Sequence, residues 1–267
     1  MSKLLITKRS VILSRRKNSA IRKEQEKFMK HPQKDTQTYY QKHENTIEFN
    51  PQRQRKSIHL IPKSVNQEDY ILALTDDRVD VVVGTGPAGT GKTYLATLAA
   101  IQALRSKQCE RIVLTRPAIT VDDEKHGFLP GDLNQKMEPW TRPLLDVFRE
   151  FYHVKEIEHM LAEQIIEISP LAFMRGRTFK NAYVILDEAQ NATPSQLKML
   201  LTRIGENSKI IITGDVEQSD RKRSDNGLTD LEQRLQFHPI DTIQLCKFTV
   251  SDVQRHPIIE KVLKLYG

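Results

Sequence analysis

One stretch limits what this chain can fold into: Val81-Val82-Val83-Gly84-Thr85-Gly86-Pro87-Ala88-Gly89-Thr90-Gly91-Lys92-Thr93. It holds a glycine, four residues, then Gly-Lys-Thr, which is the spacing of a phosphate-binding loop. Glycines let the backbone take positive φ and gather several N–H groups around a polyphosphate. Lys92 has the reach for the β- and γ-phosphates, and the Thr93 hydroxyl can ligate Mg²⁺. The β-branched run Val79–Val83 before the loop reads as a buried strand. Tyr94 to Leu104, rich in Ala and Leu and free of Gly and Pro, reads as a helix whose positive end faces the same anion. Strand, glycine loop and helix together predict a nucleoside triphosphate site formed by Gly86, Pro87, Ala88, Gly89, Thr90, Gly91, Lys92 and Thr93.

Further strands are predicted at Arg111–Thr115, Ile165–Ser169, Ala182–Leu186, Lys209–Thr213 and Ile243–Cys246. Helical patterns alternate with them. They cover Asn66–Leu74, Leu133–Phe151 (broken at Pro139 and Pro143), His153–Glu163, a helix capped at Thr193 and running through Arg203, Leu228–Leu235 and Pro257–Tyr266. This alternation predicts an α/β fold, a mostly parallel sheet flanked by helices, with ligands at the carboxyl ends of the strands. Two adjacent acids, Asp187 and Glu188, end one strand about ninety residues after the loop. In nucleotide hydrolysis the first carboxylate holds the Mg²⁺ shell and the second orients and deprotonates the attacking water.

Other residues are open to two readings. Gln67 has the paired donor and acceptor to read an adenine edge, although its place in the pattern is that of a helix-surface residue. Arg116, at a strand end where ligands bind, suits either a ligand contact or a salt bridge to a loop carboxylate. Arg175 and Arg177 flank a glycine and suit either a nucleotide phosphate, their own or a neighbour's, or an ion-paired loop. Gln218, beyond a strand beside the acid pair, is the candidate γ-phosphate sensor. Arg221, Lys222 and Arg223 form a basic cluster suited to phosphate contacts or to solvent.

Charge divides the chain. Residues 1–57 carry 15 Lys/Arg against 5 Asp/Glu, whereas the remainder carries 26 against 29. The excess is a basic extension ahead of a body that starts at residue 58. It suits nucleic-acid phosphates, or else a solvated segment without a specific partner. Two widely spaced cysteines read as buried thiols of a reducing compartment, and no apolar run approaches the ~20 residues of a membrane span. A cytoplasmic location without a secretory signal is expected.

From Ile58 to Tyr266 the chain resembles the PhoH-like family of phosphate-starvation-inducible ATPases. The resemblance is carried by Gly-Pro-Ala-Gly-Thr-Gly-Lys-Thr (86–93), Leu-Thr-Arg-Pro (114–117), Gly-Phe-Leu-Pro-Gly-Asp (127–132) and Met-Arg-Gly-Arg-Thr-Phe (174–179). It continues through Leu-Asp-Glu-Ala-Gln-Asn (186–191), Thr-Gly-Asp (213–215) with Gln218, and Val-Gln-Arg-His-Pro (253–257). It implies a single RecA-like core similar to half of a superfamily 1 helicase, ATP and Mg²⁺ as ligands, and a homo-oligomeric, hexameric ring. It also implies that Gln67 reads adenine and that Thr115 and Arg116 lie in a strand-binding loop. Arg175, Arg177 or Arg255 would reach phosphates across a subunit boundary. Residues 119–126 and Arg221-Lys222-Arg223-Ser224 depart from the family's usual pattern, both on the expected nucleic-acid side.

The expected function is Mg-dependent ATP hydrolysis coupled to binding or remodelling of nucleic acid, RNA favoured, with no membrane partner. The alternative is an ATP-dependent binding switch that does not unwind, and a ribonuclease-associated activity is a minor third reading. A GTPase is disfavoured by the lack of an Asn-Lys-x-Asp motif. A small-molecule kinase is disfavoured because Asp187-Glu188 with Thr213-Gly214-Asp215 suits attack by water better than transfer to a bound acceptor.

Overall fold

In the computed structural model the described residues are 56–117, 142–219 and 225–254. They belong to one compact unit, Arg55–Gly267. Among the described residues six parallel strands form the sheet, in the order β3-β2-β4-β5-β1-β6. They are β1 (Val81–Thr85), β2 (Arg111–Thr115), β3 (Ile166–Ile168), β4 (Ala182–Leu186), β5 (Lys209–Gly214) and β6 (Ile243–Lys247). The central strands β1, β4 and β5 are buried at every position. Such strands read as unbroken Val/Ile runs because helices cover both faces of a parallel sheet.

Alternation sorts the side chains onto two cores. Val82, Ile112, Leu114, Ile185 and Ile211 pack on one face with α1 (Val65–Thr75), α2 (Lys92–Arg105), the helix through 142–149 and α3 (Val154–Ala162). Val81, Val83, Val113, Val184, Leu186, Ile210 and Ile212 pack on the other with α4 (Pro194–Leu201) and α5 (Gly227–Phe237). Each fully buried Val, Leu or Ile contributes ~1.5–3 kcal/mol by leaving water.

The α/β class and all six strands agree with the sequence reading, with strand ends shifted by up to two residues. The Thr193 cap is a reciprocal box: the Gln196 amide donates to the Thr193 hydroxyl at 3.2 Å, and the Thr193 amide donates to Gln196 Oε1 at 2.9 Å. Its helix stops at Leu201, short of Arg203. Pro143 lies within the helical stretch described over 142–149. Lys209 opens β5 as a buried lysine whose Nζ donates to the Leu74 and Asp76 carbonyls at 3.1 and 2.7 Å. It thereby satisfies orphan acceptors at the end of α1. Pro139, the 127–132 turn, residues 1–55 of the extension, Arg221, Lys222, Arg223, Arg255 and the Pro257–Tyr266 helix lie outside the described residues.

Candidate active site

The chemistry gathers at the carboxyl ends of β1, β2, β4 and β5. Gly86 leaves β1 with φ 136°, and a Cβ there would lie 2.3 Å from the Phe248 carbonyl oxygen, so no larger residue fits. Gly91, at φ 84°, is the N-cap of α2 and offers no side chain to its first turn. Those amides are left for an anionic ligand. Lys92 is buried, and its Nζ donates to the Gly86 carbonyl at 2.6 Å, the Pro87 carbonyl at 2.8 Å and the Thr90 hydroxyl at 3.2 Å. Burial pushes the Lys92 ammonium below its ordinary pKa, opposed by Asp215, Asp187 and Glu188.

Strand parity assembles the rest. Arg116, Asp187 and Thr213 continue the alternation of Leu114, Ile185 and Ile211, so all three emerge on the α2 face. Because β5 lies between β1 and β4, its end fills the gap between loop and acid pair. Asp187 Oδ1 accepts from the Thr93 hydroxyl at 2.8 Å and from the Thr213 hydroxyl at 2.7 Å. Its Oδ2 accepts from Arg116 Nε at 3.0 Å and also from Nη2. The donor set of a hydroxyl and a carboxylate 2.8 Å apart consists of hard oxygens, which fits Mg²⁺ completed by phosphate oxygens and water.

Glu188 follows in the left-handed region, at φ 57°. A non-glycine residue held there costs energy, and such strain gathers at functional sites. Gln190 Nε2 donates to Glu188 Oε2 at 2.6 Å, while Gln190 Oε1 accepts from the Asp215 amide at 3.1 Å. Asp215 Oδ2 in turn accepts from the Ala88 amide of the glycine loop at 3.2 Å.

Gln67 corrects the residue-level reading: it is buried, 4% exposed, and is not a helix-surface residue. Its Oε1 accepts from the Lys63 amide at 2.7 Å and its Nε2 donates to the Thr90 carbonyl at 3.0 Å. One N–H and one lone pair of the carboxamide remain for a base. Thr115 is buried, and its hydroxyl has no partner among the described residues. Arg177 is engaged by both Glu167 oxygens, and its guanidinium lies 5.0 Å from the Phe179 ring centre. Arg175 is exposed, and so is Gln218. Sequence reasoning tied Thr213-Gly214-Asp215 to attack by water but gave no partner to Thr213, Asp215 or Gln190.

A strap from Phe248 to Gln254 was also missed. The Phe248 amide donates to the Thr85 carbonyl at 2.7 Å and the Gln254 amide to the Gly89 carbonyl at 2.8 Å, one bond at each end of the loop. Asp252 anchors the strap: its Oδ2 accepts from Asn66 Nδ2 at 2.8 Å and from the Thr249 amide at 2.7 Å and hydroxyl at 3.0 Å. Burial disfavours the charged Asp252 carboxyl, but hydrogen bonds from Ser64, Asn66 and Thr249 outweigh it and hold the pKa down at about 2. A depressed carboxyl stabilises the fold above its unfolded pKa of about 3.9, and that contribution is lost as pH falls toward 2. Asp252→Ala should lower the unfolding free energy by about 1–3 kcal/mol in denaturant titrations at pH 7. Asp252→Asn, which can set its one oxygen where Oδ2 lies, should lose less.

A family model described as "PhoH-like protein" matches residues 59–267. The PhoH-like protein of Bacillus subtilis is 47% identical over 205 residues, covering 76% of this chain and 63% of that protein. The PhoH-like protein of Synechocystis is 45% identical over 204 residues, covering 76% and 61%. The chain thus spans about three fifths of the length of these curated relatives. A solved Sulfolobus solfataricus SWI2/SNF2 ATPase core in complex with dsDNA aligns with TM-score 0.43 at 12% identity, over 75% of this chain and 49% of that one. On the family match and on identity to these relatives, the chain belongs to the PhoH-like family.

Proposed function

We propose that this chain binds ATP with Mg²⁺ and hydrolyses it, and that hydrolysis drives binding or remodelling of RNA by a ring of several copies in the cytoplasm. The observation that carries the reading is the 2.8 Å contact between Thr93 and Asp187, with Glu188 next in the chain. Loop and acid are 94 residues apart and meet at one point. Lys92 and the α2 amides bind the phosphates, and Gln67 joins a base-reading carboxamide to the loop through Thr90. Mg²⁺, when bound, neutralises phosphate charge. Glu188 takes a proton from the water that attacks the γ-phosphorus, the bond to the bridging oxygen breaks, and ADP leaves. Gln190 and Asp215 link that base to the glycine loop, a short path by which phosphate occupancy is felt at the acid pair.

The nucleic-acid part rests on charge. The 15 Lys/Arg against 5 Asp/Glu of residues 1–57 suit a polyanion, while the remainder is nearly balanced. In a ring, the exposed Arg175 is free to meet a neighbour's nucleotide, whereas Arg177 is held by Glu167. The test is phosphate release with Mg²⁺ and ATP, measured alone and with single- and double-stranded RNA and DNA. Stimulation by RNA is expected. Hydrolysis indifferent to every nucleic acid overturns the motor and leaves a nucleotide-controlled binding switch.

A further inference from the structure

We infer that Arg116 is an internal counter-ion for the acid pair, whose fixed charge opposes any divalent cation that comes to Asp187 without phosphates. This positioning role rests on the reading that Asp187 serves the cation of a bound nucleotide. The sheet fixes the arginine in place. Thr115 and Leu186 are register partners, the Asp187 amide donates to the Thr115 carbonyl at 3.0 Å, and the Leu171 amide donates to the Arg116 carbonyl at 3.1 Å. From there the guanidinium puts two N–H groups on one oxygen, Asp187 Oδ2, and lies 3.6 Å from Glu188 Oε1. The Arg116 side chain is 19% exposed and that of Asp187 5%, so water and salt screen the pair weakly.

Asp187 thus has every strong acceptor direction filled by the protein, two hydroxyls on Oδ1 and the guanidinium on Oδ2. Among the described residues no group of three or more His, Cys, Asp or Glu side chains could hold a metal ion. A cation arriving alone would meet two carboxylates and one fixed positive charge. A cation arriving with phosphates brings its own oxygens and negative charge, enough to be held at Thr93 and Asp187 Oδ1 against that fixed charge. Arg116 therefore makes cation binding conditional on nucleotide, and keeps both acids compensated otherwise.

The test is a titration of the full-length chain with Mn²⁺ alone, without nucleotide, read from the electron paramagnetic resonance signal of the free ion. Arg116→Gln removes the charge and should tighten Mn²⁺ binding by about tenfold or more over the parent. Arg116→Lys keeps the charge and should stay close to the parent. Arg116→Met takes the place of the glutamine variant if thermal melting shows the latter unfolded. Unchanged Mn²⁺ affinity in the neutral variant overturns the inference, as does a lysine variant that binds as tightly as the neutral one. Because the titration contains no nucleotide, absence of ATP hydrolysis would sink the proposed function without altering this readout.

Discussion

Glu188→Gln is expected to retain ATP and to release phosphate ~10²–10⁴-fold more slowly than the parent, the usual contribution of a general base. The substitution keeps the shape of the side chain and an acceptor for Gln190 Nε2, so the local hydrogen bond survives. Only the ability to take a proton is removed. The Glu188 side chain is 43% exposed, which gives water access to it, and its left-handed backbone turns it away from the straight line of β4. Arg116 Nη2 lies 3.6 Å from its Oε1, within ion-pair range and beyond a direct hydrogen bond. Single-turnover phosphate release, run beside equilibrium binding of a fluorescent ATP analogue, separates the two effects. A variant that hydrolyses at the parental rate would show that another group receives the proton.

The second large effect is at the loop. Lys92→Ala removes the ammonium of a residue that is 7% exposed, and with it three hydrogen bonds to loop oxygens. Those same donors are the ones available to phosphate oxygens. A hydrogen bond to a charged group contributes about 1.5–3 kcal/mol, so losing two of them weakens nucleotide binding by roughly 10²–10⁴-fold. The truncation also strips the Gly86 and Pro87 carbonyls of their partner, and a modest fall in thermal stability should accompany the lost affinity. Titration with the same ATP analogue measures the first effect and thermal melting the second. Binding within about twofold of the parent would mean that phosphate does not sit against Lys92. The two substitutions therefore divide the proposed reaction, one abolishing capture and the other only turnover.

Much of this was readable from residue order, because the signals are local. A glycine that needs positive φ, a Val/Ile run buried on both faces, and a capping box at Thr193 each act within a few residues, so the loop, all six strands and the acid pair are legible in the chain itself. Local pattern does not encode which parallel strands become neighbours, since each pairing is closed by a long crossover. Tertiary structure alone put β5 between β1 and β4, and with it Thr213 on Asp187 and Asp215 on the loop amide of Ala88. The same long-range packing buried Gln67 where periodicity gave it a surface position, and turned Arg116 onto Asp187. Sequence thus determined which groups the chain carries and on which elements. The pairing of distant strands, set by burial over the whole sheet, decided which of those groups meet.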